Sequence, residues 1–226
     1  MFDALFTTTT EYKKLSHALS GKGACALFGL PASGRAQVYA ALCRQLDKPL
    51  CIVTPGEAEA TRFAADLNTL GIPAAVFPAR DYVLRPIEGT AREYEYRRLA
   101  VLGELVGGRL RAVAVPAEAL TQFTTPKEDF CANTRTLHAG DTLLRDDLLA
   151  ALFGAGYTRR AQVDGPGQFS VRGDIVDIFA PDQKMPVRME FWGDEIDTLH
   201  TFDLTTQRRE DAIDKFYLSP AREVLF

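Results

Sequence analysis

Gly29-Leu30-Pro31-Ala32-Ser33-Gly34-Arg35-Ala36 places two glycines with four residues between them after an apolar run, the frame of a phosphate-binding loop. A working loop of that kind needs lysine at position 35, as a compact charge on the terminal phosphates, and a serine or threonine at position 36 to hold magnesium. Arg35 keeps the charge on a bulkier planar head, and Ala36 cannot ligate a metal. Gly29, Gly34, Arg35 and Ala36 therefore read as a degenerate nucleotide loop. The alternative is a glycine turn entering a helix, with no nucleotide history. No catalytic constellation emerges elsewhere. His17, His138 and His200 are scattered, and Cys25, Cys43, Cys51 and Cys131 lack CxxC spacing. The cysteines read as buried structural thiols rather than metal ligands.

A second set, Arg172, Arg188 and Trp192, has the residue types of a protein-binding surface. From Val187 to Trp192 apolar and polar residues alternate, so Val187, Met189 and Phe191 share one face of a strand and Arg188, Glu190 and Trp192 the other. Gly193-Asp194 suits a two-residue hairpin loop, after which Ile196, Thr198, His200 and Phe202 share a face of the return strand. Upstream, Phe169 and Val171 face the core, Ser170 and Arg172 face away, and Gly173 permits a bulge before the apolar run from Ile175 to Phe179. The alternation sends Arg172, Arg188 and Trp192 toward solvent. Arginine and tryptophan are over-represented at interface hot spots, and an exposed indole leaves much apolar area wet. The competing reading packs Trp192 under a loop and leaves both arginines as ordinary solvated charges.

The elements around these residues fall into two rhythms. Apolar runs at Ala24 to Leu30, Pro49 to Thr54 and Ala74 to Phe77 alternate with helical patterns at Gly34 to Leu46 and Glu57 to Leu70, which implies a parallel sheet. A helix from Ala91 to Val106, with Tyr94, Arg98 and Val101 near one face, stops at Gly107-Gly108, and Arg111 to Val115 forms the next strand. Pro116 to Gln122 begins a short helix. Beyond Thr124-Thr125-Pro126 the chain becomes strand-rich, with one helix from Arg145 to Phe153. Residues 1–122 are thus expected to form one domain and 123–211 an inserted one, with 212–226, including the strand Lys215 to Leu218, returning to the first. The chain has 226 residues, 46% hydrophobic and 25% charged, enough for one or two ordinary cores. A net charge of −4 argues against a dedicated nucleic-acid surface. No leader segment or bilayer-spanning stretch is visible, so a cytoplasmic location is expected, with no membrane partner.

Gly167 to Phe179, Val187 to Ile196, Thr201-Phe202-Asp203-Leu204-Thr205-Thr206-Gln207-Arg208 and Phe77-Pro78-Ala79-Arg80-Asp81-Tyr82 together resemble the amino-terminal region shared by bacterial transcription-repair coupling factors (Mfd) and the excinuclease protein UvrB. UvrB has an intact Walker A motif and a long aromatic-rich β-hairpin. This chain has Arg35-Ala36 and only a short connection from Asp81 to Thr90, so it is more similar to the coupling factors. The resemblance implies an α/β fold: a degenerate P-loop, helicase-like parallel-sheet domain carrying an inserted α+β domain like the second domain of UvrB. It further implies that the inserted domain binds the excinuclease protein UvrA through positions matching Arg172, Arg188 and Trp192, the last often Phe in coupling factors. No cofactor is then expected for this chain. ATP and magnesium belong to the translocase motor of a longer parent protein, and RNA polymerase and DNA are met only through parts missing here. In the full-length family a carboxy-terminal domain can mask the binding surface. Two other classes stay open at this stage: an active P-loop ATPase, and a damaged-DNA-binding fragment like that of UvrB.

Overall fold

The computed structural model describes residues 7–21, 24–46, 48–80 and 91–223. The chain divides into two compact units, one of Met1–Ala79 with Gly107–Gln122 and one of Arg80–Val106 with Phe123–Phe226. Among the described residues no helix is long and apolar enough to cross a membrane.

The first unit is α/β. Strands β1 (Leu50–Thr54), β2 (Ala74–Val76) and β3 (Ala112–Pro116) form a parallel sheet in the order β1-β3-β2. Helices α1 (Thr10–Ser20), α2 (Ala32–Gln45) and α3 (Glu57–Thr69) belong to the same unit. Helix α3 shows why the chain folds this way locally. Ala60, Phe63, Ala64 and Leu67 recur at helical spacing and are buried with Ile52, Ala112 and Ala114, the alanines letting helix and sheet approach closely. Glu57 and Glu59 sit in its first turn, where the helix dipole favours negative charge. At its other end Gly71 takes φ +75°, and its N–H bonds to the Asn68 carbonyl at 3.0 Å while Ile72 N–H bonds to Leu67 at 2.9 Å, a Schellman stop.

The expected first strand, Ala24 to Leu30, does not form. None of the described strands pairs with it, Phe28 is 89% exposed and Leu27 is 46% exposed. Apolar content favours a strand only where a neighbour supplies a ladder and a face to pack against. Helix α1, which the apolar pattern does not signal, is capped by Thr9, whose Oγ1 accepts from Tyr12 N–H at 3.3 Å.

The second unit is built on a six-stranded sheet, ordered β10-β9-β8-β7-β6-β5: β5 (Thr158–Arg159), β6 (Gln168–Arg172), β7 (Ile175–Phe179), β8 (Val187–Trp192), β9 (Glu195–Phe202) and β10 (Arg209–Ala212). All neighbours are antiparallel except β5 and β6. A two-stranded ladder joins β4 (Arg135–His138) to β11 (Lys215–Leu218). Helices α4 (Ala91–Val106), α6 (Lys127–Ala132) and α7 (Arg145–Gly154) lie in this unit, and α5 (Ala117–Leu120) lies in the first. Strand β11, expected to return to the first domain, pairs with β4 because Phe216 and Leu218 alternate into the same core as Leu137, Leu148 and Leu152. That core takes Phe169, Val176, Ile178, Val187, Met189 and Phe191 from one face of the large sheet, in agreement with the predicted alternation along β8.

The Gly193-Asp194 hairpin forms as expected, with Gly193 at φ +62° and Trp192 opposite Glu195. Strand β9 departs from the prediction. Its register shifts so that Phe191 faces Ile196 while Glu190 faces Thr198, leaving Asp197 as the extra residue of a bulge. Ile196 and Leu199 therefore enter the main core, and Thr198, His200 and Phe202 lie on the opposite face.

Candidate partner-binding surface

The face of the six-stranded sheet turned away from the main core carries a polar row. Ser170, Asp177, Arg188 and His200 are register partners on β6, β7, β8 and β9. Asp177 is fully buried, and its carboxylate is held by Arg188 through Nε at 2.7 Å and Nη2 at 2.9 Å. Arg188 Nη1 also donates to the Gln207 carbonyl at 3.2 Å, and its guanidinium lies 4.7 Å from the centre of the Phe202 ring. The hydrogen bonds to Asp177 hold the Arg188 guanidinium above its ordinary pKa, against the effect of burial.

Arg188 is thus not on a solvent-facing surface, contrary to expectation; only 8% of the residue is exposed. Alternation separates the two faces of a strand but does not reveal whether the second face is covered. Here a small apolar group, Val163, Phe179 and Phe202 with Leu204, occupies it, and the loop 203–208 folds alongside. Asp203 Oδ1 accepts from Thr206 N–H at 2.7 Å and from its hydroxyl at 2.9 Å, bonds that draw the carboxyl below its ordinary pKa. Gln207 adopts φ +59°, uncommon for a residue with a side chain. Its N–H bonds to Asp203 O at 2.8 Å and its Nε2 to Leu204 O at 2.8 Å, which hold the carbonyl that receives Arg188.

Farther along, the face opens. Arg172 reaches Asp177 Oδ2 with Nη2 at 2.6 Å, yet 45% of its side chain is exposed. Trp192, the last residue of β8, is 81% exposed. Between them Glu190 pairs with Arg209 and accepts from Thr198 Oγ1 at 3.2 Å. Arg172 and Trp192 lie two strands and two residues apart, so strand spacing sets their Cα atoms about 12 Å from one another. The arrangement presents a wet indole and an accessible guanidinium on one side of a rigid sheet. A partner with an acidic group and an apolar pocket fits it.

The glycine-rich segment of the first unit does not take the form of a phosphate loop. Helix α2 begins at Ala32, inside the expected loop, and Arg35 N–H is spent on the Pro31 carbonyl at 3.1 Å. Gly29 has φ +79°, while a Cβ on Gly34 would stand 3.3 Å from Pro31 Cδ, so Gly34 lets the helix start tightly against the proline. Arg35 turns to Glu59 on α3 at 3.7 Å, and Ala36 is buried in the core of the unit. Gly29 and Arg35 line one cavity with Leu30, Val38 and Tyr39, and Gly34 and Ala36 do not line it. Among the described residues no group of three or more His, Cys, Asp or Glu could hold a metal.

Of the cysteines only Cys43 is buried, its thiol pushed up by burial; Cys25, Cys51 and Cys131 are exposed, against the expectation for most of them. Cys25 lies in the segment that fails to form a strand, Cys51 on an open strand face and Cys131 near the end of a short helix. Sequence reasoning also missed a buried ion pair in the second unit. Arg98 on α4 and Glu223 are both fully buried, bonded through Nε at 2.8 and 3.0 Å and Nη2 at 2.8 Å. The available signal was an arginine sharing a helix face with Val101.

Residues 136–224 match the UvrB interaction domain family, a span that runs from β4 through β11 and includes the surface just described. Over 208 residues, 87% of this chain and 17% of the relative, it is 35% identical to the transcription-repair-coupling factor of Myxococcus xanthus. It is 38% identical over 192 residues to that of Mycobacterium bovis (81% of this chain, 15% of the relative) and 28% identical over 201 residues to that of Bacillus subtilis (88% and 17%). The chain therefore spans about a sixth of the length of these curated relatives.

Proposed function

We propose, from the premise that this chain belongs with the transcription-repair-coupling factors and carries a UvrB interaction domain, that it is the module recruiting UvrA to sites of blocked transcription. The observation that carries this reading is the exposed Trp192 beside a half-exposed Arg172 on a sheet face within the matched domain. Buried tryptophan and arginine anchors account for much of the affinity of protein interfaces, and here both are held on strands rather than loops. Trp192 supplies apolar area, and Arg172 supplies a charge-assisted bond to an acidic group. The partner-binding unit is read as the region from residue 123 onward, and the structure joins Arg80–Val106 to it.

The first unit is read as a degenerate P-loop, helicase-like domain that neither binds magnesium-ATP nor hydrolyses it. Arg35 is engaged by Glu59 and Ala36 offers no metal ligand, so the segment has neither half of the phosphate clamp. RNA polymerase binding and DNA translocation belong to other parts of a longer protein, and the whole acts in the cytoplasm. Titration of the chain with UvrA tests the reading. Saturable binding that Trp192→Ala weakens is the expected result, and the absence of binding at high micromolar concentration refutes it.

A further inference from the structure

Helices α1 and α2 of the first unit meet over an apolar seam, Tyr12 and Leu15 against Val38, Ala41 and Leu42, and beside it they leave a cavity of about 530 Å³ that opens to solvent. That volume lies in the range of small-ligand sites, roughly 300–1,000 Å³. Lys13, Ser16 and His17 stand at helical spacing on one face of α1, and Arg44 and Gln45 close the far side from the end of α2. Among the described residues that line the cavity none is a carboxylate.

Helix-end chemistry accounts for part of this wall. Arg44 lies in the last turn of α2 and donates through Nη2 to the Leu70 carbonyl at 2.6 Å, and His17 lies in the last turn of α1, where the dipole favours a cation. Lys13 and Ser16 have no such explanation. Lys13 sits in the first half of α1, and among the described residues its ammonium has no hydrogen bond or ion pair. Ser16 is only 6% exposed and its carbonyl accepts from Ser20 Oγ at 2.9 Å, yet its own hydroxyl makes no hydrogen bond among the described residues. Such a buried hydroxyl is costly unless a ligand or water meets it. The Tyr12 hydroxyl donates to Gln45 Oε1 at 3.0 Å, which leaves the Gln45 amide hydrogens for the cavity.

We infer that this cavity binds a small, multiply charged phosphate compound, with Lys13 and Arg44 supplying charge and Ser16, His17 and Gln45 supplying further donors. These groups, spread over two helices, exceed what the two oxygens of a carboxylate engage, whereas each terminal phosphoryl group presents three. Magnesium-ATP does not fit: the ion cancels charge, no carboxylate in the described wall holds it, and Tyr12, 4% exposed, offers no stacking face to a base. The inference is independent of the recruitment reading and of the glycine-rich segment, which lines a different cavity.

Pyrophosphate is the probe. Titrated calorimetrically into the chain in magnesium-free buffer at low ionic strength, it is expected to saturate a single site with a dissociation constant of about 100 μM. Lys13→Gln is expected to weaken binding about tenfold or more, and Arg35→Ala to leave it unchanged. Ser16→Ala is expected to lose about threefold or more in affinity while melting at or above the wild-type temperature, because it removes an unsatisfied hydroxyl and improves helix propensity. No saturation by ~10 mM pyrophosphate overturns the inference. So does native affinity in either Lys13→Gln or Ser16→Ala, and binding lost in Arg35→Ala moves the site to the glycine-rich segment. A short oligodeoxythymidylate that binds through Lys13 more tightly than pyrophosphate, phosphate for phosphate, also overturns it and makes the cavity a contact for a nucleic-acid backbone instead.

Discussion

Trp192→Ala is expected to cost far more affinity than stability. A tryptophan side chain offers roughly 250 Å² of surface, and 81% of this residue is wet in the free chain. About 200 Å² is therefore available for a partner to cover, worth about 5 kcal/mol at ~25 cal/mol per Å² if all of it is buried. Interface side chains are seldom covered completely, and hot-spot truncations typically cost about 2–4 kcal/mol, roughly thirtyfold to a thousandfold in affinity. The area already buried in the free chain is only about 50 Å², so the same change removes no more than about 1 kcal/mol of folding stability. In a chain of this size that corresponds to a melting shift of about 2–4 °C. Calorimetric titration with UvrA, beside thermal melts of the same preparations, separates the two effects. Native affinity in the variant refutes the surface assignment. A much larger drop in melting temperature shows instead that the indole is a structural residue.

Arg188→Ala breaks a buried pair and is expected to destabilise the chain by about 3–5 kcal/mol in urea melts. Arg172→Ala, at a side chain nearly half exposed, is expected to cost about 1 kcal/mol or less; equal losses refute the distinction. Burial pushes the Glu223 carboxyl up, but hydrogen bonds led by Arg98, together with the Arg98 charge, outweigh it and leave the carboxyl below its ordinary 4.5. A carboxylate depressed in the folded state adds stability that is present above its unfolded pKa and lost as pH falls through the folded value. Glu223→Gln is therefore expected to be less stable than wild type near pH 6 but to lose less stability toward pH 3, roughly; parallel pH curves contradict this. Magnesium-ATP is expected to give no heat of binding. Micromolar binding abolished by Arg35→Ala revives an enzymatic reading of the glycine-rich segment.

The legible parts of this chain were those in which pattern and local chemistry agree. Helix α3 has apolar residues at helical spacing and a glycine stop, and the β8 hairpin has strict alternation and Gly193 at its turn. Trp192 and Arg172 were legible for the same reason. Arg188 was not, because alternation assigns a face and only the long-range packing of Phe202 and the loop 203–208 decides that this part of the face is closed. The bulge at Asp197 escaped notice, since one extra residue exchanges the two faces of a strand without altering its composition. Ala24 to Leu30 was over-read, because an apolar run specifies burial but not the neighbour that would provide it. Arg98 and Glu223 are 125 residues apart in sequence, and no local signal joins them.

The central claim is that this chain binds UvrA through the open end of the six-stranded sheet. Its most direct test is a calorimetric titration of UvrA with the purified chain, wild type and Trp192→Ala in parallel. The account predicts saturable binding by wild type with a dissociation constant of about 1 μM or tighter, and a thirtyfold or greater loss in the variant, roughly. No binding by a folded wild-type chain, or equal binding by both, contradicts it.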